Sequence, residues 1–254
     1  MRKVICILVL LCTVYASKQD VLDPSRNLER LVNVQKTATE VILNSLTFFE
    51  NQTKKNLEIK LDELKLQALT EIWIYVNGAH TNINEFINKA KEEGKNVEEC
   101  QDYAKYNLET KNENAKNDVE TCIKNGNTAM ENPLANVANS IEATKKLLND
   151  LNAIIPNCYS ASFIKMQACV MRNLFLTQAT LNRISSNANE VTATATVEYT
   201  KMIINVRSCL TKITADTNTF TSNVILSTSN CIRNAAENPK STSIKSTTAA
   251  ESVV

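Results

Sequence analysis

Among the residues able to do covalent chemistry, the cysteines are the ones set in a pattern. Cys6 and Cys12 lie near the start, and Cys100, Cys122, Cys158, Cys169, Cys209 and Cys231 follow at spacings of 22, 36, 11, 40 and 22 residues, a list that is nearly a palindrome. Eleven residues make almost three turns of α-helix and 22 almost six, so cysteines at these intervals share one face of a straight helix. In a reducing compartment such thiols could serve as nucleophiles or metal ligands; in an oxidising one they pair as structural cross-links.

The remaining candidates for chemistry are few. His80 is the single histidine, and no His/Cys or His/Asp cluster stands at zinc spacing. Neither a glycine-rich phosphate loop nor a Gly-x-Ser-x-Gly elbow is present. The carboxylate pairs Asp62-Glu63, Glu92-Glu93 and Glu98-Glu99 could be drawn as acid and base, but adjacent acids on helices ordinarily form a wetted face. The expectation is therefore a protein without catalytic residues, metal ligands or cofactor, a secreted hydrolase being the enzyme class left open. Trp73-Ile74-Tyr75 and Phe48-Phe49 suit core positions; the sharper reading makes them a groove for an apolar ligand or a partner helix.

The choice between thiol and disulfide is made by the first residues. Met1-Arg2-Lys3, an apolar run from Val4 to Val14 and then Tyr15-Ala16-Ser17 have the layout of a signal peptide over 1–16, cleaved after Ala16. The run is too short to cross a bilayer, and no later stretch is long and apolar enough, so a soluble, secreted, extracellular chain with no membrane span is expected. Cleavage removes Cys6 and Cys12 and leaves six cysteines, an even set for which three disulfides are the default. One sequon, Asn51-Gln52-Thr53, marks Asn51 for glycosylation. With 28 basic and 27 acidic residues, the chain has no overall charge to recruit nucleic acid or an anionic membrane surface.

The elements that must position the cysteines are helices. Three glycines and four prolines in 254 residues exclude a turn-rich β-fold. Apolar residues recur at three and four, as in Leu57, Leu61, Leu64, Ala68 and Ile72, giving an all-α bundle of about five amphipathic helices at 24–76, 79–125, 133–155, 162–190 and 197–235. Asp23-Pro24 and Asn132-Pro133 read as helix starts, and Gly126 as a C-cap. The Ser-, Asn- and Thr-rich stretch from Ser185 to Thr196 reads as a turn, and the alternation in 191–197 also suits a short strand. The regions that follow are an N-terminal helical region at 17–98, a cysteine-containing helical domain at 99–236 and a disordered Ser/Thr-rich tail at 237–254.

Geometry narrows the pairing. On one continuous helix Cys100 and Cys122 stand about 33 Å apart, whereas a disulfide needs Cα atoms within about 7 Å. If 79–125 and 197–235 run antiparallel, equal spacing allows Cys100–Cys231 and Cys122–Cys209 together, with Cys158–Cys169 closing the bend after Pro156. If each 22-residue interval instead turns back on itself, the consecutive pairs Cys100–Cys122 and Cys209–Cys231 become the natural bridges.

The six well-separated cysteines, in a Gly-poor and Asn- and Thr-rich setting over roughly 95–235, resemble the tsetse EP-like domain family of secreted fly proteins. They do not match insect odorant-binding proteins, whose cysteines include tight gaps. The resemblance implies a non-enzymatic secreted protein of gut, haemolymph or gland, with an immune- or parasite-related role; the leading expectation is a binding or structural component that works through its surface on an unidentified protein or surface partner. The alternative is an extracellular carrier enclosing an apolar small molecule between helices. For the processed chain, N-terminal sequencing of secreted material is expected to begin near Ser17; a sequence starting at Met1 would remove the signal assignment.

Overall fold

The computed structural model describes residues 24–236; the signal-like 1–16 segment and the 237–254 tail lie outside that range. The described residues form three helices and no strand: α1 (Pro24–Glu92), α2 (Glu98–Cys158) and α3 (Phe163–Asn234). Three helices replace the five read from the sequence, and each missing break has a local cause. Gly78 lies inside α1, where its surroundings are open and nothing requires a turn. Gly126 lies inside α2 and is buried; a Cβ there would come within 2.7 Å of Val206 Cγ2 and 3.2 Å of Leu61 Cδ2. It is glycine because two other helices approach closely, not because a helix ends.

Pro133 also falls within α2. Proline removes one backbone hydrogen bond, leaving the carbonyl of Ala129 without its helical donor. Ala129, Glu131 and Asn132 all face solvent, so water can take up that carbonyl. The 185–196 stretch is neither turn nor strand but helix. Its polar side chains are accommodated by the helix itself: Thr196 Oγ1 donates to the Thr192 carbonyl at 2.8 Å, and Thr200 repeats the bond to Thr196 at 3.0 Å. Buried Ala188 and Ala195 anchor this part of α3 from within.

The turn that does separate α1 from α2 is at Gly94, inside the span read as one helix over 79–125. Gly94 has φ 79°, its N–H donates to Lys91 O, and the Lys95 N–H reaches back to Ala90 O, both at 3.0 Å. This is a Schellman ending with glycine in the left-handed position. Asn96 then opens α2, its Oδ1 accepting from the Glu98 N–H at 3.5 Å, while Glu98 and Glu99 place negative charge at the positive end of the helix. The second turn, 159–162, follows Cys158, and the carbonyl of Ser162 starts α3 by accepting from Met166 N.

The chain divides into two compact units, each built from a portion of all three helices. Unit 1 comprises 24–48 with Val137–Val191, and unit 2 comprises Phe49–Asn136 with the described residues from Thr192 onward. In both, α1 and α3 run parallel and α2 opposes them.

The two units keep different rhythms. In unit 1 the inward positions recur at seven: Val32, Thr39 and Leu46 on α1, Val137, Thr144, Leu151 and Cys158 on α2, and Leu174, Leu181 and Ala188 on α3. In unit 2 they recur at eleven: Leu57, Ala68, Ala79 and Ala90 on α1, Leu108, Val119 and Met130 on α2, and Leu210, Thr221 and Ile232 on α3. Seven residues over two turns need about 3.5 residues per turn and eleven over three need about 3.67, on either side of the 3.6 of a relaxed helix.

Unit 1 also carries a polar layer. The Gln35 side chain donates to Leu174 O at 3.1 Å and accepts from Thr177 Oγ1 at 2.7 Å, and Asn187 donates to Ser140 Oγ at 3.2 Å. Such bonds fix helix register, since a slip would leave the groups unpaired.

The two internal glycines predict opposite outcomes. Gly78→Ala should stabilise by about 0.5–1 kcal/mol through helix propensity alone. Gly126→Ala should destabilise by about 1–3 kcal/mol, because the short, branched Val206 side chain has little room to yield. Urea denaturation of the two variants checks the difference in sign.

Candidate functional site

The cysteine frame is the first feature that the helices position. Cys100 bonds Cys231 and Cys122 bonds Cys209, with Cα atoms 5.8 and 6.1 Å apart, and Cys158 bonds Cys169 at 5.5 Å across the second turn. The two long-range bonds lie in unit 2, joining α2 to α3; the short one lies in unit 1. This is the nested arrangement, and it works because both helices are unbroken between their cysteines. α1 contains no cysteine.

All six described cysteines are bonded, so no thiol among them is free to act as nucleophile. A chain holding three disulfides matures outside the reducing cytoplasm. None of the described helices is long and apolar enough to cross a membrane.

His80 sits within α1, half-buried, and not at a helix start. Of the acid pairs, Glu63 takes Lys60 at 2.7 Å, Glu93 takes Lys95 at 3.8 Å, and Glu98 and Glu99 occupy the first turn of α2. Among the described residues no three His, Cys, Asp or Glu side chains converge as a metal site. Asn51 is exposed on α1, and its sequon partner Thr53 is half-buried.

The aromatic residues do not fill the core as their spacing suggested. Trp73 is 62% exposed, Ile74 52% and Phe48 67%, while Tyr75 and Phe49 are half-buried. Trp73 ends a row that the sequence reading did not pick out: Ile59, Leu66 and Trp73, seven residues apart, all face outward from α1 in unit 2. Their seven-residue interval runs between the core positions Leu57, Leu61, Leu64, Ala68, Ile72 and Val76, and that interleaving is the signal that could have revealed them. Leu66 is 68% exposed, so the row leaves large apolar surfaces in water with no internal partner.

A trough of about 580 Å³ opens on α3 of the same unit, lined by Ile203, Ile204, Arg207 and Lys212 among others. Every residue lining it belongs to one helix, so it is a surface depression and not a chamber between helices.

Compared with protein-family models, curated proteins and solved structures, the chain matches none.

The cross-links predict an order of stabilities. Loop-closure entropy assigns about 4–5 kcal/mol to a bond spanning of order 100 residues and about 3 kcal/mol to one spanning of order ten. Replacing the Cys100–Cys231 bond, whose ends are 131 positions apart in sequence, by two alanines should therefore lower the urea midpoint more than replacing Cys158–Cys169, whose ends are 11 apart. An equal loss in both variants would show that native packing, not chain constraint, dominates.

Proposed function

We propose that the chain is a secreted, non-enzymatic helical protein of an insect gut or extracellular fluid, working through its surface as a binding or structural component, with an immune-related role. The cysteine pattern's likeness to the tsetse EP-like family supports the setting, and the three disulfides fit an oxidising one. Asn51, exposed on α1, carries an N-linked glycan in this reading.

The observation that carries the binding role is the outward row Ile59, Leu66 and Trp73. Apolar side chains at seven-residue intervals on a rigid helix form one side of a helix–helix seam, with the other side supplied by a partner protein. The long helix holds the three residues in fixed register, so little ordering entropy is lost on docking. The carrier alternative has its nearest feature in the open trough on α3.

Ile59→Glu with Leu66→Glu tests the row. Both positions are exposed, so the helical circular dichroism and urea midpoint should stay as in the wild type. Binding of labelled protein to gut surfaces or body-fluid proteins should fall by about 100-fold or more, the effect of losing two apolar anchors. Trp73, the single tryptophan, reports independently: its emission should be that of a wet indole in the free protein and shift to the blue on binding. Unchanged binding by the double variant would remove the row from the function.

A further inference from the structure

The near-neutral total charge conceals a segregation between the units. Among the described residues unit 1 holds eight cations and five carboxylates, and unit 2 holds fifteen and eighteen. The excess in unit 1 is concentrated: from Leu151 through Asn189, across the end of α2, the second turn and the first half of α3, there is no aspartate or glutamate. Lys165, Arg172 and Arg183 lie in that stretch, all exposed, and among the described residues none joins an ion pair. Their intervals of seven and eleven align them in one row along α3.

Beside this row runs an apolar one. Ile164 and Phe175 are each 77% exposed, Met171 lies between them, and Tyr159 in the turn is 81% exposed. Helical periodicity puts Ile164, Met171 and Phe175 on one line and the cations about 80–100° further around the same solvent-facing arc. The buried residues Met166, Val170, Leu174 and Leu181 hold the opposite face of α3 against the core of unit 1.

We propose that this arc of α3, with the second turn, is a docking surface for an anionic phospholipid bilayer. Ile164, Met171, Phe175 and Tyr159 enter the boundary between headgroups and acyl chains, and Lys165 and Arg172 meet the headgroup phosphates. Exposed apolar side chains flanked by cations are the pattern of helices that lie in a membrane interface. A bilayer suits the geometry better than a protein does. The apolar side chains are exposed along one line of a helix, and a deformable lipid boundary can take up such a convex row without a matching concavity. The missing carboxylates remove the repulsion an anionic surface would otherwise exert, and Cys158–Cys169 ties the start of the turn that carries Tyr159 to α3. The surface is separate from the α1 row in unit 2 and stands or falls independently of it.

Co-sedimentation of the full chain with vesicles tests the proposal. Phosphatidylcholine vesicles containing about a third phosphatidylserine should pull the protein down, and pure phosphatidylcholine vesicles should not. Lys165→Glu with Arg172→Glu, and separately Ile164→Ser with Phe175→Ser, should each weaken sedimentation at least about tenfold with unchanged circular dichroism. Ile59→Glu with Leu66→Glu should bind vesicles like the wild type. Equal binding to neutral vesicles, no binding to either, or indifference to the charge reversals would overturn it. If soluble polyglutamate displaces the protein fully and the serine variants bind normally, the arc is a site for an acidic protein and the lipid proposal fails.

Discussion

An eleven-residue interval governs unit 2, and most of what is particular to this molecule depends on it. When core positions recur at eleven on all three helices, each buried row runs nearly along its helix axis. Two helices can then stay in contact over many turns without one drifting off the other. The cysteines obey the same interval: Cys100 to Cys122 and Cys209 to Cys231 are each twice eleven. Two staples between antiparallel helices fit only if the separations match and the side chains stay on the facing side, and this period meets both conditions. The small residues at the recurring positions, Ala68, Ala79 and Ala90 on α1 and Ala104, Ala115 and Gly126 on α2, keep the backbones close. Gly126 is the extreme case, with no space for even a methyl group.

Helix type, the buried faces and the spacing of the cysteines were legible in the sequence because each is a matter of period. The number of helices was not. Gly78, Gly126, Pro133 and the Ser185–Thr196 stretch all disfavour helix locally, and all lie within helices. Propensity differences amount to about 1 kcal/mol per residue, or about 3 for proline, and burial of the inward faces outweighs them. The true break, Glu93 to Val97, was written in equally local chemistry: a glycine in the left-handed position followed by a capping asparagine. What separates Gly94 from Gly78 is not the residue but the cap residues after it. Conversely, Pro24 begins α1 as a first-turn proline should.

The candidate surface was harder to read for a related reason. Trp73 and Phe48 belong to residue types that are normally buried, and type and helical spacing together favoured the core over the groove that was the sharper reading. Their place on the solvent face follows from counting against Leu57, Leu61, Leu64, Ala68, Ile72 and Val76, which already fill the inward positions. Threonine behaves in the reverse way. Thr39, Thr144 and Thr217 are fully buried. Each returns its hydroxyl to the carbonyl one turn back, at 2.7 to 2.8 Å. A side chain that satisfies itself on its own helix enters the core without a partner across the bundle. This allows a chain rich in threonine and asparagine to build helices of 61 to 72 residues.

The absence of cysteine from α1 has a mechanical corollary. Tension applied through the two ends of the chain would pass from α1 into α2 at Cys100, cross the sulfur bridge to Cys231, and leave by the end of α3. The residues enclosed by that bridge, whose ends are 131 apart in sequence, would carry no load. Among the described residues, lengthening would come from unravelling α1, whose 69 residues extend to about 230 Å when drawn straight. Anchored between two surfaces, α1 would serve as an extensible element, with the parts of the other two helices inside the bridge shielded from the pull.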